Sequence, residues 1–450
     1  MSRRLALAAA LLILGQPAAI AQATPLISVV QDDAQMLRSG PAARERALVD
    51  WASLGADVVR IQVVWRDLAD GRESLQDLDA AVAGAQRHGL DVLLNPTGPG
   101  PDRASTCRPQ RGVCAPSPTR FDAWVATLGA RYPTVHRWSV WNEPNNPNWL
   151  QPQRAPSGTP RSPQLYRALV RAASRALQRT GHGADLILAG ETAPMPPRRS
   201  GPQARRPVAA GPFLRTLLAG RAPLGVTGIA HHPYPTGLNS PYGATGAAQF
   251  TLDGLPALIR LVHNAGRRHV LPAHAPVWLT ELGIQTNPPD PFFGISPARQ
   301  ASWINQAEDR AQRDGAAALG QYLLVDEPAL GGFQSGLRYA DGRAKPSFSA
   351  YRLPLVLRRT ANTLHLWGRV RPVRAEGATV ELELRRAGAQ KVRTLLTLQT
   401  RTGGDLSATL RPPRGQLRLS WTDATGRIEH GRWATVPAAR VASAAFAPQP

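Results

Sequence analysis

Short apolar runs alternate with longer amphipathic stretches from about residue 26 to residue 358. The stretches space apolar residues as a helix does, as in LDAAVAGAQRHG, where Leu78, Val82 and Ala85 share one face. This alternation is typical of repeated βα units. Eight apolar runs qualify as strands, and they begin at Leu26, Asp57, Leu90, Val135, Ala184, Val226, Pro276 and Leu319. Eight such units predict a closed (β/α)8 TIM barrel.

The pattern changes to a two-residue alternation after residue 360. In TVELELRR, from Thr379 to Arg386, apolar residues alternate with charged ones, which suits a strand with one buried face. Similar runs follow between turn clusters such as TGGD and TDATG. We therefore predict a barrel over residues 24–358, a small C-terminal β-sandwich over 361–437 and a loose tail over 438–450.

The first 23 residues have the layout of a secretory signal peptide. Arg3 and Arg4 precede an apolar run from Leu5 to Leu14, and small residues around Ala21 offer a cleavage site. That run is too short for a membrane-spanning helix, and no later segment offers about eighteen uninterrupted apolar residues. The sequence predicts an exported bacterial protein without a membrane span in its mature form, either secreted or held in the periplasm or cell envelope.

Only two cysteines occur, Cys107 and Cys114, in the segment CRPQRGVC. In an oxidising compartment they are well placed to close a small surface loop by a disulfide. Two unrelated thiols are the alternative. A metal site is not expected, because two cysteines without a nearby histidine make a poor ligand set.

The formal net charge is +22. Only Lys345 and Lys391 are lysines, and this skew towards arginine suggests a genome-wide codon bias spread over the surface. No basic stripe is interleaved with aromatic residues, so nucleic acid is not expected as a partner. The one dense cluster, Arg198 to Arg206 after the fifth predicted strand, either grips anionic sugars or is a solvated loop.

Catalytic side chains of a (β/α)8 barrel come from the carboxyl ends of its strands. Glu143 lies at such an end in WSVWNEPN, where a proline stops the fourth strand, and Glu281 ends the seventh strand in VWLTELG. The other carboxylates at strand ends are Asp32, Asp33, Glu191, Asp326 and Glu327.

Two carboxylates that face each other across a sugar can break a glycosidic bond, one as acid and the other as nucleophile or base. The acid must keep its proton, whereas an isolated glutamate has a pKa near 4.3. The site must therefore favour the protonated carboxyl group over the ionised one by roughly 3 to 4 kcal/mol. Apolar walls act in that direction. Trp138, Trp141 and Trp149 are candidates for such walls.

The order of the motifs resembles that of the clan A glycoside hydrolases. In that clan the acid/base lies on strand four, as in WNEPN (Trp141 to Asn145), and the nucleophile on strand seven, as in WLTELG (Trp278 to Gly283). VRIQVVWRDL from Val59, HPYP from His232 and SGLRYADGRAKPSF from Ser335 are similar to further segments of the clan. Within it, the sequence looks most like family 39 and family 5 bacterial enzymes that cut polysaccharides.

The resemblance implies roles for individual residues. Glu143 becomes the general acid/base and Glu281 the nucleophile of a retaining mechanism without a cofactor. Asn142 would bind the hydroxyl beside the reacting carbon. Tyr234 and Arg60 would hold Glu281 ionised.

The sixth strand contributes two adjacent histidines. His232 would line the same wall as Tyr234, although a satisfied strand-end histidine is the alternative. His231 should point the other way, which makes a zinc site on the pair improbable.

Aromatic residues around the site depart from the clan in one respect. The clan usually places a tryptophan near the end of strand eight, but no tryptophan occurs from residue 304 to 366. Either Tyr322 or Phe333 substitutes for it, or the bound sugar sits differently. Trp65 and Trp149 either stack on sugar faces or serve packing.

The sequence therefore predicts a secreted retaining glycosidase that acts on a polysaccharide or oligosaccharide, with an anionic polysaccharide among the candidate substrates. A carbohydrate-binding or envelope-associated barrel without turnover is one alternative, and a transglycosylase that uses the same residues is another. The C-terminal domain is expected to be a packing accessory. A carbohydrate-binding module, with Trp367, Trp421 and Trp433 as stacking candidates, is the alternative.

Overall fold

The computed structural model describes residues 25–106, 113–195, 201–235, 237–243, 248–373 and 376–438. The predicted signal peptide, Cys107 and nearly all of the predicted tail lie outside these ranges, as do Arg198 and Arg199. Export and the Cys107–Cys114 disulfide therefore stay predictions. The described chain divides into two compact units.

Eight parallel strands close into a barrel in the first unit, which comprises Pro25–Arg352 and residues 371–373. Each strand pairs with the next one in sequence, and the eighth pairs with the first, with Ile27 opposite Ala318. The predicted TIM barrel is confirmed. The strands are β1 Ile27–Gln31, β2 Val58–Val64, β3 Asp91–Thr97, β4 Arg137–Ser139, β5 Leu186–Thr192, β6 Gly228–His231, β7 Val277–Leu279 and β8 Ala318–Tyr322.

Helices follow the strands and cover the outside of the barrel. They are α1 Pro41–Ser53, α2 Trp65–Ala69, α3 Leu75–Arg87, α4 Pro118–Arg131, α5 Ser162–Arg179, α6 Ala210–Leu217, α7 Leu255–Arg267, α8 Pro297–Asp314 and α9 Pro346–Arg352. Short helical turns are found at Ala34–Arg38, Asp102–Ala104, Gln203–Arg205, Leu252–Gly254 and Thr402–Gly404. None of the helices in the described ranges combines the length and the apolar character needed to cross a bilayer.

Apolar side chains fill the base of the barrel. Every strand except β4 contributes one residue to this buried cluster, namely Val29, Val58, Leu93, Leu188, Ala230, Trp278 and Ala318. Alternate side chains of a strand face the same side, so the residue two positions further on also faces inward, nearer the carboxyl end. The cluster therefore forms the floor beneath any site at that end.

Strand β4 is shorter than its apolar run predicts. Its ladder ends at Ser139, and Trp141 and Glu143 have positive φ values of 69° and 39°. Such a backbone costs roughly 1–2 kcal/mol in a non-glycine residue and persists only where neighbouring groups hold it. Here the N–H of Trp141 donates to the carbonyl of Pro96 on β3 (2.9 Å), and that of Glu143 to the carbonyl of Glu191 on β5 (2.9 Å). The two adjacent strands thus hold the turn that presents Glu143.

The second unit contains two antiparallel sheets, over Leu353–Val370 and residues 376–438. One sheet has β9 Leu355–Arg359, β10 Leu364–Arg369 and β13 Asp405–Leu410; the other has β11 Thr379–Arg385, β12 Val392–Gln399, β14 Gln416–Thr422, β15 Ile428–His430 and β16 Ala434–Thr435. A Cβ placed on Gly368 of β10 would lie 2.8 Å from the side chain of Leu419 on β14, so the two sheets face each other as a sandwich. This unit begins before residue 358 because β9 pairs with β10.

Candidate active site

A layer of polar side chains lies on the apolar floor of the barrel. Gln31, Arg60, Asn95, His232 and Thr280 each follow a floor residue by two positions, and all five are buried. The alternation along five strands therefore brings these groups together at the carboxyl end of the barrel.

Arg60 is the hub of this layer. Its wholly buried guanidinium donates to side-chain oxygens of five residues, namely Gln31, Asn95, Asn142, Glu191 and Glu281. Burial, the largest influence, would lower the pKa of Arg60, but the charges of Glu191 and Glu281 outweigh it and raise that pKa. Arg60 therefore stays a cation that holds several loops in one arrangement.

Glu281 follows β7 and is held at both oxygens. Oε1 accepts a hydrogen bond from Nη1 of Arg60 at 2.6 Å, and Oε2 accepts one from the hydroxyl of Tyr234 at 2.9 Å. Its side chain is 8% exposed. Burial, followed by the charge of Glu281, raises the pKa of Tyr234 well above its ordinary value, so the phenol stays protonated and donates. Both oxygens of Glu281 are therefore held by hydrogen-bond donors.

Glu143 is more open and has no guanidinium partner among the described residues. Its side chain is 16% exposed, Oε2 accepts from Nδ2 of Asn146 at 2.8 Å, and Oε1 lies 3.2 Å from Nδ1 of His232. The adjacent Asn142 is buried, and its Oδ1 accepts from Arg60 at 3.1 Å. Nδ2 of Asn142 makes no hydrogen bond with any described residue, which leaves a donor beside Glu143.

The two carboxylates face each other across His232. One oxygen of Glu143, one oxygen of Glu281 and one ring nitrogen of His232 all lie within 4.8 Å of one another. The ends of β4 and β7 thus bring together the two glutamates that the sequence pairs.

A third carboxylate, Glu191, lies in the same polar layer and was given no role from the sequence. It is fully buried, and Oε2 is 2.6 Å from Nε2 of His232, 2.7 Å from Oγ1 of Thr280 and 3.1 Å from Nη2 of Arg60. Oε1 accepts a short hydrogen bond from Ser139. Burial, the largest influence, opposes ionisation, but the charge of Arg60 and the His232 contact together lower the pKa of Glu191 to about 2.

Glu191 faces inward because β5 is irregular. Two positions after the floor residue Leu188 comes Gly190, and the pairing of β5 with β6 shifts between Ala189 and Thr192. Gly190 and Glu191 have φ values of 119° and 45°. Such a bulge moves the inward position by one residue. The signal available in the sequence was a carboxylate at a strand end in LAGETAP.

His232 is surrounded by carboxylates. Besides its contacts with Glu143 and Glu191, its Nδ1 lies 3.6 Å from Oε2 of Glu281. Burial, the largest influence, would lower the pKa of His232, but the three glutamates outweigh it and raise that pKa to about 10. The surrounding carboxylates thus favour the cationic form of His232.

His231 points away from this layer, as the strand alternation predicts. Its Nδ1 lies 2.8 Å from Oγ1 of Thr192, and its Nε2 lies 2.7 Å from the carbonyl of Phe250. Burial lowers the pKa of His231 to about 3, so it is neutral. The adjacent histidines therefore differ in charge and cannot form one metal site.

Glu143, His232 and Glu281 together have the donor spacing that a metal ion would need. However, His232 has a carboxylate oxygen at each ring nitrogen, and the three glutamates raise its pKa to about 10, which favours a hydrogen on both nitrogens. A protonated imidazole has no lone pair for a metal ion. The three residues therefore fit a metal poorly.

Tyr322 and Phe333 meet at the edge of the site. Their rings pack edge to face, with centroids 5.4 Å apart, and Phe333 is 45% exposed. Burial, followed by the charge of Glu281, raises the pKa of Tyr322 well above its ordinary value. The two residues considered as substitutes for a strand-eight tryptophan therefore occur as a pair.

The rings of Trp138 and Trp141, which the sequence offered as apolar walls of the acid, pack against other aromatic side chains. Trp138 is buried against His182, with ring centroids 4.8 Å apart, and Trp141 is buried against Phe121 at 5.4 Å. Both partners lie outside the barrel, on or just after the helices α5 and α4. The two rings thus pack towards the helices, and the hydrogen-bond partners of the Glu143 carboxylate are Asn146 and His232.

Trp65 and Trp149 occupy unlike surroundings. Trp65 stacks on Trp124 of α4, with centroids 5.0 Å apart and an interplanar angle of 9°, which favours a packing role. Trp149 is half-buried in the turn after Glu143, where its backbone N–H donates to the carbonyl of Asn146 at 3.0 Å.

The remaining strand-end carboxylates support the loops. Asp32 accepts from the N–H groups of Gln35 and Val325, at 3.1 Å each. Asp326 accepts from the buried ammonium of Lys345 at 2.7 Å. Glu327 accepts from the N–H of Phe333 at 2.7 Å. These carboxylates contact loops at the rim of the barrel rather than Glu143 or Glu281.

No protein-family model matches the sequence, and no curated protein matches it. Solved structures do match its fold. A calcium-binding mutant of Bacteroides uniformis β-glucuronidase 2 is 14% identical with a TM-score of 0.49; the match covers 92% of this chain and 45% of that one. A family 1 β-glucosidase from Thermotoga maritima is 14% identical with a TM-score of 0.42, over 68% of this chain and 84% of that one.

A β-glucosidase from Exiguobacterium marinum is 15% identical with a TM-score of 0.44, over 68% of this chain and 84% of that one. The chain spans less than half the length of the β-glucuronidase. At these identities and TM-scores, the matches assign neither an activity nor a substrate to this chain.

Proposed function

We propose that the protein is a retaining glycoside hydrolase of the clan A type, which cleaves O-glycosidic bonds in a polysaccharide or oligosaccharide. The observation that carries the proposal is the pair Glu143 and Glu281 at the ends of β4 and β7, with carboxylate oxygens within 4.8 Å. Inverting enzymes separate their carboxyl groups by about 6.5–9.5 Å to admit a water, whereas retaining enzymes hold them about 5–5.5 Å apart. The short gap supports retention.

The unequal surroundings of the two glutamates support the division of roles. Arg60 and Tyr234 both donate to Glu281, which suits a group that must be ionised to attack. Glu143 is more exposed and is contacted by the amide of Asn146 and by His232. It is therefore assigned as the group that exchanges protons with the leaving group and with water.

In the first step, Glu143 gives its proton to the glycosidic oxygen while Glu281 forms a bond to the anomeric carbon and the leaving sugar departs. In the second step, Glu143 takes a proton from water, the oxygen of that water attacks the same carbon, and the bond to Glu281 breaks. Each step inverts the anomeric carbon, so the overall result is retention. The residues present complete both steps without a cofactor.

Asn142 is assigned to the sugar hydroxyl beside the reacting carbon. Its Oδ1 is fixed by Arg60 at 3.1 Å, so the amide orientation is set and Nδ2 is the atom that turns to the ligand. A hydrogen bond there that shortens as positive charge develops would stabilise the transition state more than the bound substrate.

An anionic polysaccharide is our preferred substrate class. Residues 144–252 contain twelve arginines and only two acidic residues, Asp185 and Glu191. On α5, Arg167 donates to the carbonyls of Thr216 and Ala219 at 3.1 and 2.9 Å, and Arg171 donates to that of Pro223 at 3.4 Å. Carbonyls do not neutralise these charges.

The arginine face, defined as Arg167, Arg171, Arg175, Arg215 and Arg221, has no carboxylate partner among the described residues. Other helices differ, because Arg310 and Arg313 of α8 pair with Asp314 and Asp309. Burial, followed by the charge of Arg171, lowers the pKa of Arg167, which shows that like charges are close. An uncompensated basic face of this kind attracts polyanions.

Export belongs to the same proposal. The signal-peptide layout of residues 1–23 supports a secreted, periplasmic or cell-envelope location, where polymeric glycans are accessible.

A product-resolved screen of the purified protein on neutral and acidic glycans tests the function. The wild-type protein should release reducing ends from at least one glycan, and Glu143→Gln and Glu281→Gln should each nearly abolish that release. Undiminished hydrolysis by both variants would contradict the residue assignment. Binding without release would instead favour a carbohydrate-binding barrel, and products longer than the substrate would indicate transglycosylation.

A further inference from the structure

Glu191 takes no part in the proposed mechanism, yet it lies at the centre of the site. Its carboxylate is fully buried and accepts from Ser139, Thr280 and Arg60. A buried charge is costly unless it is paired and hydrogen-bonded, and here both oxygens are bonded. A group of this kind has a specific task.

The contact with His232 indicates what the role of Glu191 is. Nε2 lies 2.6 Å from Oε2 of Glu191, while Nδ1 lies 3.2 Å from Oε1 of Glu143 and 3.6 Å from Oε2 of Glu281. A neutral imidazole carries one N–H, so one of its nitrogens would direct a lone pair at a carboxylate oxygen. Only the doubly protonated ring can donate on both sides.

We propose that Glu191 is a positioning residue that holds His232 as an imidazolium cation between Glu143 and Glu281. Its effect on catalysis rests on the proposed function, whereas the protonation of His232 does not. The role goes beyond the acid and nucleophile themselves, because it assigns the group that sets the charge between them.

The charge count of the site supports this role. The site holds three carboxylates and two cations, Arg60 and His232. With Glu143 protonated and Glu191 and Glu281 ionised, two negative charges meet two positive ones. These five groups are then neutral as a set, and a neutral His232 would leave one negative charge among them unbalanced.

The imidazolium also suits the movement of charge during the reaction. When Glu281 bonds to the anomeric carbon and Glu143 releases its proton, the negative charge leaves Glu281 and appears on Glu143. Nδ1 of His232 lies 3.6 Å from the first carboxylate and 3.2 Å from the second, so one cation serves both states. Arg60, in contrast, contacts Glu281 but not Glu143 among the described pairs.

Titratable groups from the neighbouring strands surround His232, and the carboxylates among them favour its protonation. They are Glu143 after β4, Glu191 on β5, Glu281 after β7, Arg60 on β2 through its bond to Glu191, and Tyr234 and His231 from the same segment as His232. Of the three carboxylates, Glu191 gives the shortest contact and lies beyond the reach of solvent. It is therefore the partner whose charge does not change during turnover.

The test is NMR of the full-length protein labelled with 15N-histidine, which needs no substrate. We expect His232, assigned from the signal missing in His232→Asn, to carry a hydrogen on both ring nitrogens at pH 7 to 8. In Glu191→Gln, the midpoint of its deprotonation should fall by about two pH units, because one charged partner is lost. A neutral His232 in the wild-type protein, or the same midpoint in both proteins, would overturn the proposal.

Thr280→Val is the matched control. It removes another hydrogen bond to the same oxygen of Glu191, at 2.7 Å, without removing its charge, so the His232 midpoint should stay close to that of the wild type. If Glu191→Gln does not fold, a neutral His232 in the wild-type protein would still overturn the proposal.

Kinetics provide a second measurement once a substrate is known. Glu191→Gln should move the alkaline limb of the kcat/KM profile to lower pH, whereas a merely structural role would lower activity equally at every pH. Failure to hydrolyse any glycan would contradict the proposed function and leave the NMR result on Glu191 intact.

Discussion

Nη1 of Arg60 lies 2.6 Å from Oε1 of Glu281, although the two residues are 221 positions apart in the chain. The same guanidinium contacts Asn142 and Glu191, so one buried cation fixes groups from the ends of three other strands. Glu143 is outside this set of contacts. The structure thus gives Glu143 and Glu281 unequal surroundings, and several measurable consequences of the proposed mechanism depend on this asymmetry.

Leaving-group chemistry should separate the two roles. Glu143→Ala should lose about 10²- to 10⁴-fold in kcat/KM on sugars with a poor leaving group, because that oxygen must be protonated as it departs. It should lose far less on aryl glycosides with an acidic phenol. Glu281→Ala should lose activity on both. Equal losses on both kinds of substrate in both variants would show that the roles are wrongly divided.

The stereochemistry of the product should be retention. The carboxylate gap within 4.8 Å leaves no room for a water between the sugar and Glu281. NMR of the first-formed sugar should therefore show the anomer of the substrate, before mutarotation mixes the two. Early appearance of the opposite anomer would mean that Glu281 activates a water instead.

Tyr234→Phe should weaken catalysis without unfolding the protein. It removes the hydroxyl that donates to Oε2 of Glu281 at 2.9 Å. A hydrogen bond to a charged acceptor contributes about 1.5–3 kcal/mol, which corresponds to a loss of about 10- to 150-fold in kcat/KM. Tyr132→Phe is the control, because its hydroxyl donates to Asp79 on the helix side of the barrel. A similar loss in both variants would point to general destabilisation.

The stability of the barrel should fall as pH rises above about 6.5. The three glutamates raise the pKa of His232 to about 10 in the folded state, against about 6.5 in an unfolded chain. Between these values the folded state binds an additional proton. The stabilisation is therefore fully present below pH 6.5 and is lost as pH approaches 10, on the order of a few kcal/mol.

Denaturant unfolding across that range measures this effect, with His232→Gln as the comparison. The wild-type free energy of unfolding should decline more steeply with pH than that of the variant. Parallel curves would mean that His232 has no such proton in the folded state.

The arginine face should contribute to binding of acidic polysaccharides. Arg171→Gln with Arg175→Gln should weaken retention on an immobilised polyuronate and reduce its salt dependence, because two uncompensated charges are lost. Arg310→Gln with Arg313→Gln is a matched control on α8, where both charges are paired with aspartates. Equal effects of the two double variants would mean that binding depends on the net charge of the protein and not on the arginine face.

The sequence by itself determined the frame of the site. The spacing of apolar runs predicts eight βα units, and the rule that catalytic groups follow barrel strands reduces the candidates to seven carboxylates at strand ends. The resemblance to the clan A enzymes then distinguishes Glu143 and Glu281 among them. It also predicts which way His231 and His232 point, because alternation along a strand is a local property. The C-terminal sandwich follows from the same two-residue period.

Only the tertiary structure decided the features that depend on contacts between distant segments. Trp141 and Glu143 have positive φ values because β3 and β5 hold the turn after β4, and no local pattern contains that information. The rings of Trp138 and Trp141 pack on the helix side of the barrel, so they do not wall the acid.

Glu191 shows the physical reason most directly. Strict alternation from Leu188 would put Gly190 inside the barrel, and a shift of one residue in the pairing of β5 with β6 puts the carboxylate there instead. The sequence placed Glu191 at a strand end but gave it no role. Packing between neighbouring strands turned its carboxylate inward, where Oε2 lies 2.6 Å from Nε2 of His232.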